Sequence, residues 1–424
     1  MKCIAGLLAG LALCLSAQAA PPVAQQIVLR HALTGRAQET LAMLVQRFNE
    51  QQKGRAKVVL QALAGVADPR RLPQMALLDR DDTVAFFGSR PRFKPLYRVM
   101  AESRERLDAR RFLPLIADVV ADLSGRLQAL PLGMSMPALF WNKDVFRKAG
   151  LDPDAAPKTW QDVQKAAGTL FDAGVKCPLT SSRFAWVHLE NLSSQHGEPI
   201  SVREGRGVMR VVLNRMIEVK HIATLESWYR SFYFHYFGPG NEADAKFLSG
   251  QCAMLTGASA LYTKAANGSF HVGMATLPYY DDVYGATPGQ LLPDGAALWV
   301  LAGGNRAEDG VAARFAAFML RPDVQRQWVE ATGFLPMTPA AMTALKADGD
   351  PPAVLAVAVH RLSERKPANT REKYGFGLDR LHDILNEEIE TVWQNTQPAK
   401  QALDNAMLRA NLAISGAGRL LSRR

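Results

Sequence analysis

Ser135 lies in Gly133-Met134-Ser135-Met136-Pro137, the segment of this chain closest in wording to a nucleophile elbow. An elbow needs a glycine two residues after the serine, so that a sharp strand-to-helix turn exposes the hydroxyl. Proline stands there instead, which leaves a secreted hydrolase acting through Ser135 as a remote alternative. The eight histidines are dispersed, and His188 and His196 have a spacing that sets no metal geometry. The chain contains neither the His-Glu-x-x-His pattern of zinc hydrolases nor a phosphate-binding loop. Gly375-Phe376-Gly377 lacks the third glycine of a dinucleotide turn. These absences predict a chain that is not an enzyme and holds no cofactor or metal.

Charge points the same way. Residues 70–111 carry eleven Lys/Arg against six Asp/Glu, in a chain of net charge +10. A basic stretch can mark a nucleic-acid partner. No zinc-finger spacing or aromatic RNA-binding signature accompanies it, so no nucleic acid is expected. The segment reads as a solvated basic surface, with steering of an anionic solute as the functional version.

The elements that must position any site begin after an export signal. Lys2, the apolar residues 4–15 and Ala17-Gln18-Ala19 form a cleavable leader over residues 1–19, placing the mature chain in the periplasm. No window is apolar over the 18 or so residues that a membrane span needs. Cys177 and Cys252 lie beyond the leader, and in an oxidising compartment they either pair or sit buried as small apolar side chains. Strands are predicted at 26–32, 57–60 and 83–87, with a helix at 39–51 between the first two. Further helices are predicted at 159–173, 221–230, 311–320, 322–331 and 377–394, and a last one from 399 ends at Gly416. Alternating strands and helices predict an α/β fold with mainly parallel sheets.

The densest information lies in residues 130–173. Ala138-Leu139-Phe140-Trp141 is wholly apolar, as in a strand covered on both faces. Asn142 interrupts it, Gly150 suits a left-handed helix stop, and Thr159 with Asp162 three residues later forms a capping box. Asn142-Lys143-Asp144 and Lys158-Thr159-Trp160 in this order resemble the extracellular solute-binding proteins of bacterial ABC importers (family 1). Leu189-Glu190-Asn191, Lys220-His221-Ile222, Cys252-Ala253-Met254, Ala297-Leu298-Trp299-Val300, Thr332-Gly333-Phe334-Leu335-Pro336 and Asn386-Glu387-Glu388-Ile389 extend the likeness over most of the chain. Together they are most similar to the branch of that family that binds glycerol phosphate and glycerophosphodiesters.

The resemblance implies a two-lobed periplasmic-binding-protein fold, type II-like, with a ligand cleft between lobes. Lobe I would comprise 20–136 and 292–340, and lobe II 138–290 and 342–424. It also implies a monomer that captures a polyol phosphate, phosphodiester or sugar and delivers it to membrane permease subunits. The alternative is a neutral carbohydrate or oligosaccharide. Carried over residue by residue, the ligand positions fall on Ser135, Gly295, Arg183, Trp186, Ser259, Phe334 and His382. Other family positions fall on Ala67, Gly88 and Ala258, which lack the expected side chains, and Phe334 lacks a hydroxyl. Arg183, His382 or Arg380 would then supply charge, while Trp141, Trp186, Phe334 and Tyr374 offer rings for a sugar face. A bulky residue at Gly295 is expected to block solute access and leave the fold intact.

Overall fold

The computed structural model describes residues 25–63, 72–80, 82–83, 92–122, 124–204, 208–283, 288–346 and 380–421. Its strands are divided between two mixed sheets and one hairpin. The first sheet holds β1 (Gln25–His31), β2 (Ala56–Ala62), β3 (Met75–Leu78), β4 (Phe93–Lys94) and β5 (Leu130–Ser135). The second holds β6 (Pro137–Asn142) and β7 (Leu179–Ser181), while β8 (Ser201–Glu204) and β9 (Val208–Val211) form the hairpin. β10 (Phe234–His235), β11 (Met254–Ala258) and β12 (Val272–Thr276) complete the second sheet, and β13 (Asp294–Leu301) returns to the first.

The expectation of mainly parallel sheets needs correction. β1 pairs in parallel with β2 and β3, and β7 with β10 and β11. By contrast β13 runs antiparallel to β3, β4 and β5, and β6 runs antiparallel to β11 and β12. Parallel neighbours need a long crossover connection. β6 and β13 instead enter from the other sheet, so no helical crossover dictates their direction.

The early helix starts sooner than predicted, at Gly35–Gln51, and buries Leu41, Leu44, Val45 and Phe48 at helical spacing. Phe48 meets Phe315 and Phe318 edge-on at 5.2 and 5.6 Å, tying this helix to Arg306–Met319 over the first sheet. Burying one such ring is worth about 1.5–3 kcal/mol. On the second sheet Trp393, from the helix Leu381–Trp393, packs among Phe184, Tyr229, Phe234 and Tyr236. The final helix, Ala399–Leu421, continues through Gly416 rather than stopping there. No helix among the described residues is long and apolar enough to cross a membrane.

The unit at 130–173 forms as its sequence dictates. All six residues of β6 are buried, and Asn142 accepts from the N–H groups of Asp144 and Val145 to start the next helix. Gly150 takes φ +79°, and Thr159 and Asp162 close their reciprocal capping box. Of the predicted strand at 83–87, residues 84–87 lie outside those described. A strand not predicted from the sequence forms at Met75–Leu78, and Thr83 belongs to the helical turn after it. Asp79 ends this strand, because its side chain accepts from the Asp82 N–H (2.8 Å) and its carbonyl from the Thr83 N–H (2.9 Å). Such local side-chain bonding favours a turn over continued strand.

Cys177 and Cys252 form a disulfide, which resolves the alternative the sequence left open. It joins the residues leading into β7 and β11, and the two strands are already neighbours.

Candidate functional site

The sheets meet where Met136 separates β5 from β6, and the candidate site is built around that point. Ser135 ends β5, is almost fully buried, and stands opposite Asp294 in the β5–β13 register. Because β5 runs into another strand and not a helix, Ser135 has no elbow geometry. Gly295 follows Asp294 at φ +150°, and a Cβ there would collide with the Gly133 carbonyl oxygen. Substituting Gly295 therefore breaks strand pairing, which corrects the expectation that the fold would be left intact.

Two segments bring guanidiniums to Asp294, and Glu190 and His382 extend the cluster beyond them. Its Oδ1 accepts from the Gly295 N–H at 2.8 Å, which aims the carboxylate. Its Oδ2 accepts from Arg183 Nη2 at 2.8 Å and lies 3.7 Å from Arg80 Nε. Arg80 is delivered by the helical turn that Asp79 starts. Its Nη1 donates to Glu190 Oε1 at 2.9 Å and lies 2.7 Å from His382 Nε2. His382 Nε2 is also 2.9 Å from Glu190 Oε1, so that nitrogen donates to Glu190 or accepts from Arg80, but not both.

Local backbone explains these placements. Arg183 adopts a left-handed φ of +52°, which costs a non-glycine residue on the order of 1 kcal/mol. Its guanidinium lies over the Trp186 ring at 4.6 Å, a cation–π contact. The π-helical stretch Trp186–Asn191 follows, and all six of its residues are buried. Trp186 Nε1 donates to the Leu292 carbonyl (3.1 Å) and Asn191 accepts from the Leu292 N–H (2.7 Å), holding this stretch against the approach to β13. Single π turns of this kind are frequent at functional sites.

The carboxylates stay charged. Burial alone would raise the Asp294 pKa, but Arg80, Arg183 and His382 outweigh it and hold it below the ordinary range. Glu190 is likewise opposed by burial and pulled well down by Arg80 and His382.

Of the predicted site residues, Arg183, Trp186, His382, Ser135 and the peptide of Gly295 converge here. Ser259 and Phe334 sit at the margins. Ser259 Oγ accepts from the Met136 N–H (3.1 Å) and its own N–H reaches the Met136 carbonyl (2.8 Å), so it staples the crossing. Phe334 is half-buried and stacks on Trp328 at 5.9 Å. Just before it, Gly333 ends the helix Pro322–Thr332 at φ +74°, tight against Ala260 and Thr263. Trp141 belongs to the core, its indole N–H bonded to the Pro153 carbonyl at 2.9 Å, and is no cleft wall. Arg380 is exposed at a helix start and lies outside the cluster. Ala67, Gly88 and Tyr374 fall outside the described residues.

Arg80, Glu190 and Asp294 were not among the predicted residues. Signals existed for each: Arg80 belongs to the basic stretch, Glu190 to a matched tripeptide, and Asp294 adjoins Gly295. The basic stretch itself is partly internal, since Arg80 enters the cluster and Lys94 pairs with Asp309 at 2.6 Å.

Two α/β sheets joined at a strand crossing, with polar groups from both facing one another there, define a two-lobed binding protein. The chain belongs to the bacterial extracellular solute-binding proteins, a family that matches residues 44–353. The sn-glycerol-3-phosphate-binding periplasmic protein of Salmonella typhimurium is 32% identical over 419 residues, covering 95% of both chains. That of Yersinia pseudotuberculosis is 29% identical over 423 residues, again 95% of each. Among solved structures, UgpB from Mycobacterium tuberculosis in complex with glycerophosphocholine superposes with TM-score 0.74 at 19% identity, covering 92% of this chain and 99% of that one. The GacH receptor of Streptomyces glaucescens, solved unliganded and with acarbose, gives 0.73 at 16% identity over 92% of this chain and 99% of that one. These relatives are solute-binding proteins and not enzymes.

Proposed function

We propose that this chain is the periplasmic solute-binding component of an ABC importer. Lobe I is 20–136 with 292–340, lobe II is 138–290 with 342–424, and residues 1–19 are the export leader. A small polyol phosphate or sugar-like solute enters between the lobes. Contacts from both sides then favour the closed form, which a membrane permease recognises. The protein acts as a monomer.

The observation that carries this reading is Arg80. It comes from the first sheet's side and ends between Glu190 and His382 of the second. A cleft whose two walls already exchange hydrogen bonds can exchange them through a solute instead. The names of the relatives and the glycerophosphocholine-bound neighbour support a small phosphorylated polyol, and the acarbose-bound neighbour supports a carbohydrate.

The test is a thermal-shift panel on the mature protein with sn-glycerol 3-phosphate, glycerophosphodiesters, monosaccharides and oligosaccharides, followed by small-angle scattering. Binding to the native state raises the apparent melting temperature with concentration. A stabilising solute should also compact the particle. Stabilisation without compaction by every such solute would refute lobe closure.

A further inference from the structure

We infer that Asp294 sets the solute preference of this cleft, admitting an uncharged polyhydroxylated solute and disfavouring a phosphorylated one. The inference rests on the reading that the crossing between the sheets is the solute site, and it chooses between the two ligand classes left open there.

Charge balance is the basis. Both guanidiniums near the crossing converge on one oxygen, Asp294 Oδ2, at 2.8 Å from Arg183 and 3.7 Å from Arg80. Arg80 is also engaged by Glu190 at 2.9 Å. Two guanidiniums thus face two carboxylates, both almost wholly buried, and His382 shares one ring nitrogen between Arg80 and Glu190. Asp244 lies on the Arg183 side as well, hydrogen-bonded to Ser182. Each guanidinium is thus already matched by a buried carboxylate.

A phosphate reaching either arginine would sit beside Asp294 or Glu190. Like charges in a partly desolvated site repel strongly, because water screens them little. Asp294 cannot easily withdraw, since Gly295 N–H fixes its Oδ1 and strand pairing fixes its backbone. Hydroxyl groups meet no such conflict. They donate to the carboxylates and accept from guanidinium N–H groups, of which each arginine has five. The ion pairs persist while the solute adds bonds to them.

The experiment is calorimetry on the mature protein with glucose, maltose, trehalose, maltotriose, glycerol, sn-glycerol 3-phosphate and inorganic phosphate. The expected result is that at least one uncharged compound binds ten times or more tightly than sn-glycerol 3-phosphate. Asp294→Asn removes one negative charge and should raise sn-glycerol 3-phosphate affinity at least tenfold, with that gain shrinking at high salt. Glu190→Gln should move affinity in the same direction and serves if the first variant does not fold. Tighter wild-type binding of sn-glycerol 3-phosphate than of any uncharged compound overturns the inference while leaving the solute-binding reading in place. So does an unchanged preference in both variants. Failure of every compound to bind overturns both.

Discussion

Two buried polar clusters in this protein solve the same problem in opposite ways. At the crossing between the sheets, Arg80, Arg183, Glu190 and Asp294 keep their groups charged by pairing them across segments from both sides, with His382 hydrogen-bonded among them. Inside the second lobe, His188, His221 and Tyr280 form a neutral chain. His188 Nδ1 is 2.8 Å from His221 Nε2, and His221 Nδ1 is 2.9 Å from the Tyr280 hydroxyl. His188 Nε2 ends the chain at Ser181 (2.9 Å) and Thr256 (3.1 Å). With no carboxylate in that chain, burial depresses His188 to about 3 and His221 well below its ordinary value. The difference teaches what each cluster is suited to. Charged pairs drawn from two sides can be exchanged for solute contacts, whereas a neutral network within one unit holds that unit rigid.

The largest expected effect tests the rigid side. The disulfide closes a sequence separation of 75 residues and leads into the strands that carry Ser181 and Thr256. Joint Cys177→Ser and Cys252→Ser substitution should cost about 4 kcal/mol in denaturant unfolding. Solute affinity should stay within about twofold of wild type. A large affinity loss at retained fold would erase the distinction between the clusters.

Arg80→Ala comes next. It leaves Glu190 buried beside a histidine alone and should cost about 3 kcal/mol, with solute binding lost as well. A cost under about 0.5 kcal/mol would show that this pair behaves like an exposed surface bridge. Within the neutral chain, His221→Phe strands one His188 nitrogen and removes one of the Tyr280 hydroxyl's two partners, and should cost about 2 kcal/mol without altering solute selectivity.

Acid separates the clusters by its onset. His188 titrates near 6.5 when unfolded and near 3 when folded, so the unfolded chain binds more protons between those values. Its contribution is whole above about pH 6.5 and declines on acidification by about 1.4 kcal/mol per pH unit. Glu190 and Asp294 are also depressed, but their contribution begins to fall only below the ordinary carboxylate range. Glu218 and Asp244, both raised by burial, act in the opposite sense, so the comparison is made between wild type and His188→Gln. The variant should lose slope between pH 6.5 and about 3 and match wild type below that. Equal slopes in both proteins would mean that His188 is not held neutral.

How much of this was legible in the sequence follows from the range of the interactions involved. The capping box at Thr159 and the left-handed Gly150 are local devices, and both formed as read. The strand Met75–Leu78 went unpredicted because a short apolar run does not by itself declare its type. Direction within the sheets was misjudged because pairing of β13 with β3 joins residues far apart in the chain. In the cluster at the crossing, Arg183, Trp186 and His382 were reached through family positions or their neighbours. Asp294, Arg80 and Glu190 escaped because their importance lies in meeting one another, over separations of 110 residues or more.

The narrow fit of Gly333 against Ala260 and Thr263 has a practical use in optical sensing. Those residues stand on opposite sides of the crossing, so their separation should report closure, whereas Ser135 and Asp294, locked in register, should not. Cys177 and Cys252 are consumed by their disulfide, and Cys3 and Cys14 lie within the proposed leader. One cysteine introduced at Thr263 would therefore be the sole free thiol of the mature chain. An environment-sensitive dye attached there would turn solute capture into a change of emission without any second label.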